Sequence, residues 1–173
     1  LKEAEELKVL KPAQIVEALA KKKEEMANKQ WYEKFRWFTT SDGFLVVAGK
    51  DSVSNEVLIK KYTKQEDIVF HAEITGSPFV VIKTGGKEVS EAALKEAAEA
   101  AASYSRAWRE NAGVADVYWV RVDQLSKSGP SGEFVPHGAF FVMGKRNWYR
   151  NTPLRIAVGI CLGEAVSFVG GPL

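Results

Sequence analysis

The sequence predicts an α+β domain: a mixed β-sheet packed by one long Ala-rich helix, preceded by a charged helical, coiled-coil arm. Three observations lead there. Short runs rich in Val, Ile and Phe, punctuated by Gly and Pro, fill residues 44–83 and 116–169. A single Ala-rich stretch, Glu91–Arg109, separates them. Between Pro12 and Gly43 no Pro or Gly interrupts the chain. The 173 residues suffice for one domain with an appended arm, read as 1–30 for the arm and 31–173 for the domain.

In chain order, Pro12 fits the first turn of a helix that runs to about Phe38. Ile15, Leu19 and Met26 give it a sparse apolar stripe, and Trp31, Phe35 and Phe38 a dense aromatic one. Thr39–Gly43 reads as a turn, after which Phe44–Ala48, Glu56–Tyr62, Ile68–His71 and Phe79–Lys83 read as strands. Gly49-Lys50-Asp51 is then a polar hairpin between the first two. Ser90 is an N-cap for the Ala-rich helix, and Asn111-Ala112-Gly113 ends it. Ala93, Ala97, Ala101, Tyr104 and Trp108 share one helical face, small enough at the alanines to lie close on a sheet. Strands resume at Asp116–Val122, Gly138–Met143, Arg155–Leu162 and Ala165–Val169. The polar connection Ser126–Pro136 is long for a structural turn and is a candidate binding loop.

Composition narrows the classes. Net charge is +2, and the one cysteine, Cys161, excludes both an internal disulfide and a multi-cysteine zinc site. No apolar run approaches the roughly 20 residues that span a bilayer, and the N-terminus carries no apolar signal segment. A cytoplasmic protein with no membrane contact is expected, and, from its two ends, a piece of something longer. Charge is unevenly spread: Phe140–Ala157 holds Lys145, Arg146, Arg150 and Arg155 with no acid among them.

Chemistry-bearing motifs are few. His71 and Glu73, two apart on a strand, would share a face and suit acid–base or metal work, but no third ligand has recognisable spacing. Gly129-Pro130-Ser131-Gly132 is no nucleophile elbow, and no glycine-rich phosphate loop occurs. More informative is Gly144-Lys145-Arg146-Asn147-Trp148-Tyr149-Arg150. Its cations suit phosphates, its aromatic faces suit unpaired bases, and Asn147 suits a base edge or a 2′-hydroxyl. The opposing reading is a surface connection with Trp148 turned into the core.

Several blocks recur together in one known family. Trp31–Phe38 resembles the helix leading into the NFACT-R domain, the RNA-binding module of ribosome quality control proteins that include bacterial RqcH and eukaryotic nuclear export mediator factor. In the same order follow Gly49-Lys50-Asp51 with Asn55-Glu56, Asp67–Ala72 with Gly76-Ser77, Ala102–Trp108, Val117–Val120, Gln124–Lys127, and Gly132-Glu133-Phe134 through Gly144–Asn147. The resemblance implies an RNA-binding module without catalysis or cofactor, whose partners are tRNA and large-subunit rRNA on a split large ribosomal subunit carrying peptidyl-tRNA. The parent protein would extend stalled chains with a C-terminal, alanine-rich tail. It implies RNA contacts at Lys50, Asp51 and Asn55 of the first hairpin, His71, Arg106, Lys127, Lys145, Arg146, Asn147 and Trp148, with Asp51 orienting a cation. Bacterial members carry more lysines in the loop where only Lys127 stands here. Two other readings remain at this point: a module contacting ribosomal proteins, and a His71-dependent hydrolase.

Overall fold

The computed structural model describes residues 29–129, 135–162 and 166–171. The chain divides into two units, Leu1–Lys34 and Phe35–Leu173. In the first, the Gln30 N–H donates to the Glu33 carboxylate and the rings of Trp31 and Tyr32 meet edge to face at 5.6 Å. The expected arm helix over residues 12–28 lies outside the described residues.

In the second unit that helix does not continue to Phe38. Arg36–Thr39 is instead strand β1, paired antiparallel with β2 (Leu45–Ala48) across a turn in which the Gly43 N–H donates to the Thr40 carbonyl. Alternation explains the difference. Phe38 packs towards the core while Trp37 stays 47% exposed, the period of a strand rather than of a helix face.

A second correction concerns Glu56–Tyr62. The β-branched residues around Leu58-Ile59 suggest a strand, yet Ser52–Val57 forms helix α1 and Leu58–Tyr62 continues it as a wider π-helical turn. A capping box decides this. The Asp51 carboxylate accepts from the Ser54 N–H at 2.7 Å, and Ser54 Oγ accepts from the Asp51 N–H at 2.9 Å. Lys50, Asp51 and Asn55 therefore sit at the start of a helix, not in a hairpin.

Strands β3 (Ile68–Ala72) and β4 (Val80–Lys83) follow, then helix α2 (Glu91–Ser103). Ser90 Oγ caps α2 by accepting from the Ala93 N–H. The helix ends six residues short of Arg109. Ser105 caps a separate 3-10 turn, Arg106–Glu110, which closes on Asn111 in the left-handed conformation. Strand β5 (Val114–Arg121) leads through a 3-10 turn to β6 (Leu125–Ser126), which pairs with β7 (Phe141–Val142). Of the Ser126–Pro136 loop, residues 130–134 lie outside the described residues. Asn147–Pro153, within and beyond the basic run Gly144–Arg150, is strand β8. Asn147 and Trp148 are thus sheet residues. β9 (Ala157–Leu162) and β10 (Val166–Gly171) form a separate antiparallel ladder.

The main sheet has the order β1-β2-β4-β3-β5-β8. The α+β class holds, and every described ladder of the sheet runs antiparallel. One face carries Val46, Ala48, Ile68, Phe70, Ala72, Val80, Ile82 and Val117 against Ala97, Ala98 and Ala100–Ala102 of α2. Alanine keeps the helix axis close to the sheet and costs little side-chain entropy. Val47, Val69, Val81 and Val120 point to the other face and are buried as well. Central strands covered on both sides carry continuous apolar runs, which is why they show no alternation in the sequence.

Candidate nucleic-acid interface

A cleft of about 770 Å³ opens at the end of the sheet where the β3–β4 turn, the start of α1, the 3-10 turn after α2 and the segment before β7 converge. Four cations line it, Arg36, Lys50, Arg106 and Arg109, with both histidines, His71 and His137. Asp51 is the single carboxylate in its lining among the described residues. That carboxylate is occupied as the α1 cap, accepting from both the N–H and the hydroxyl of Ser54, and the Ser54 N–H is the main cause that holds its pKa below the ordinary value.

Each wall follows from local sequence. Asn55 Oδ1 accepts from the Phe79 N–H at 3.1 Å, tying α1 to the start of β4, and the Gly49 N–H donates to the Phe79 carbonyl. A Cβ on residue 49 would lie 1.9 Å from Asn55 Oδ1, so only glycine fits. Arg36 Nη1 donates to the Gly49 carbonyl at 2.9 Å, and its guanidinium stands 5.1 Å over the Tyr104 ring. Gly76, at φ +78°, leaves room for the Arg106 guanidinium, whose Cζ would be 2.9 Å from an added Cβ. Arg106 and Arg109 are three apart on a 3-10 turn, where such residues eclipse and present their charges together.

None of the four lining cations makes an ion pair among the described residues. Three cations outside the cleft are paired instead. Lys127 Nζ lies 2.5 Å from the Glu56 carboxylate, Arg146 3.2 Å from Glu73, and Arg150 2.7 Å from Asp116. Burial alone would raise the Glu56 pKa. Hydrogen bonds from Lys127, Lys60 and the Gly138 N–H outweigh that and hold it at about 2.

Aromatic rings link the two regions along the face opposite α2. Centroid distances are 5.5 Å from Phe140 to Phe79, 4.7 Å from Phe79 to His71, 5.9 Å from His71 to Tyr118 and 5.2 Å from Tyr118 to Trp148. Strand register builds much of this row, pairing His71 with Tyr118 and Tyr118 with Trp148. Arg146 lies 4.6 Å over the Tyr118 ring and Arg150 3.7 Å over that of Trp148. Burial holds the His71 pKa at about 4, the Arg146 charge pushes the same way, and the nearby Ser77 and Ala72 backbone opposes both. Its Nδ1 is buried without a hydrogen-bond partner.

Of the residues picked from sequence, the structure brings Lys50, Asp51, Asn55, His71 and Arg106 into the cleft. Lys127, Lys145, Arg146, Asn147 and Trp148 do not line it. Asn147 Nδ2 donates towards the Trp119 carbonyl at 3.4 Å, and Lys145 is exposed. Sequence reasoning missed Arg36 and Arg109. The first was hidden in an assumed helix, and the second was signalled by its spacing from Arg106. Among the described residues no three His, Cys, Asp or Glu side chains gather as a metal site, and no helix is long and apolar enough to cross a membrane.

Comparison with known proteins supplies the family. The chain is 54% identical over 139 residues to the archaeal Rqc2 homolog aRqcH of Methanocaldococcus jannaschii, covering 80% of this chain and 21% of that protein. It is 37% identical over 119 residues to the human ribosome quality control complex subunit NEMF, covering 68% of this chain and 11% of that one. It therefore spans about a fifth or less of these relatives' lengths. The C-terminal part of the fibronectin/fibrinogen-binding protein from Streptococcus suis has a similar fold, with a TM-score of 0.57 and 24% identity over 73% of this chain and 49% of that one. The NFACT protein RNA binding domain matches residues 34–144. On that match, which takes in every wall of the cleft, the chain belongs to the NFACT RNA-binding domain family.

Proposed function

We propose that the chain is a non-catalytic RNA-binding module and that the cleft is where it holds the sugar-phosphate backbone. One observation carries this: Arg36, Lys50, Arg106 and Arg109 converge on the cleft with no ion pair among the described residues, while Lys127, Arg146 and Arg150 outside it are each paired with a carboxylate. Unpaired cations at a concave surface attract a polyanion and release its counterions. With relatives named for ribosome quality control, the RNA is tRNA or large-subunit rRNA. The full-length parent would be cytoplasmic, engage the large subunit with its peptidyl-tRNA and support C-terminal alanine tailing. The relevant experiment is fluorescence anisotropy with labelled deacylated tRNA at several salt concentrations, against duplex DNA of equal charge. Salt-sensitive binding that prefers tRNA and loses about 0.7–0.9 of its log–log slope in Arg106→Ala supports the reading. Absence of binding at low salt overturns it.

A further inference from the structure

We propose that the cleft takes an unpaired nucleobase, so that the module binds single-stranded RNA with one base turned onto an aromatic floor and its phosphates on the cationic rim. This rests on the RNA-binding reading and goes further by naming the RNA conformation. A cleft that bound phosphates alone would need only charge, whereas this one has rings beneath the charge. Phe140 and His71 line it half-buried, backed by the buried rings of Phe79 and Tyr118, so the surface open to a base is that of Phe140 and His71. Its 770 Å³ falls within the range of pockets that enclose small molecules, room for a base and its sugar. Bases inside a duplex are stacked on one another and cannot reach such a floor, but an unpaired base can turn into it.

His71 adds a specific element. Its Nδ1 is buried with no hydrogen-bond partner among the described residues, although the Ser77 and Ala72 backbone lies near enough to favour the charged ring. Burial also keeps the ring neutral near pH 7, so it offers a flat face and no charge beneath a rim that is already cationic. Its contribution to binding is therefore independent of salt, unlike that of Arg106.

The test compares three probes of equal length on the 173-residue chain: a single-stranded RNA carrying 2-aminopurine, an abasic sugar-phosphate strand, and the RNA paired to its complement. The expected result is quenching of 2-aminopurine on binding and about tenfold tighter binding of the base-bearing strand than of the abasic one. His71→Leu should abolish that preference and leave the salt slope unchanged. Phe140→Leu, in a half-buried position, gives the same readout where His71→Leu does not fold. Equal affinity for base-bearing and abasic strands, with a slope still dependent on Arg106, would overturn the base pocket and leave the RNA-binding reading standing. Duplex binding as tight as single-strand binding would overturn it too. No binding of any probe would remove both.

Discussion

The cleft rim and the β5–β8 strip carry the same kinds of cation but differ in what faces them. In the strip, Arg146 and Arg150 lie within ion-pair distance of Glu73 and Asp116, and Lys127 is held by Glu56. On the rim, among the described residues, Arg36, Lys50, Arg106 and Arg109 face one carboxylate, already engaged by Ser54. A cluster of basic residues in sequence is thus a poor measure of available charge. Strip arginines brace the Tyr118 and Trp148 rings, while the rim cations have no ion pair among the described residues.

The comparison breaks most severely at Gly49. Gly49→Ala sets a methyl against Asn55 Oδ1, forcing apart α1 and the start of β4, and should lower stability by about 3 kcal/mol in urea denaturation. An unchanged midpoint would show that the cleft wall is compliant. The next effect follows pH. The folded His71 pKa of about 4 lies below its ordinary 6.5, so the unfolded chain takes up the proton first. Stability should therefore fall as pH drops from about 6.5 to 4, by about 3 kcal/mol, and His71→Leu should remove this limb. Glu56, at about 2 against 4.5, contributes stability that is complete above pH 4.5 and lost as pH falls towards 2. Denaturation midpoints across pH 2–7 separate the two limbs.

Smaller changes sharpen the contrast. Glu56→Gln loses charge-assisted bonds to Lys60 and Lys127 and should cost about 2 kcal/mol at pH 7. Smallest is the paired substitution across the two regions. Lys50→Ala on the rim should reduce the salt dependence of RNA binding by about 0.7–0.9 on the log–log slope, whereas Arg146→Ala in the strip should leave it in place and shift stability by about 0.5 kcal/mol. Equal slopes in the two variants would erase the distinction between the regions.

Much of the frame was legible. Ser90 followed by alanines marks a capped helix, and Ile68–Val69–Phe70 and Val80–Val81–Ile82 have no other good use than buried strands. The errors share one cause. Arg36–Phe38 has helical spacing but finds its backbone partners in β2, and Leu58-Ile59 has strand composition but follows a cap at Asp51. The cap was itself visible in Asp51-Ser52-Val53-Ser54, four residues whose hydrogen-bonding habit outweighs the propensity of those after them.

By itself, then, the sequence determined the α+β class, the Ala-rich helix, the apolar strands and the family, because each rests on local propensity or on residues read in order. Only the tertiary structure decided which of the cations are ion-paired. Arg146 meets Glu73 across 73 positions of sequence, and Arg150 meets Asp116 across 34. Ion pairing acts over a few ångströms of space, and no local pattern records which distant carboxylate the sheet register will deliver.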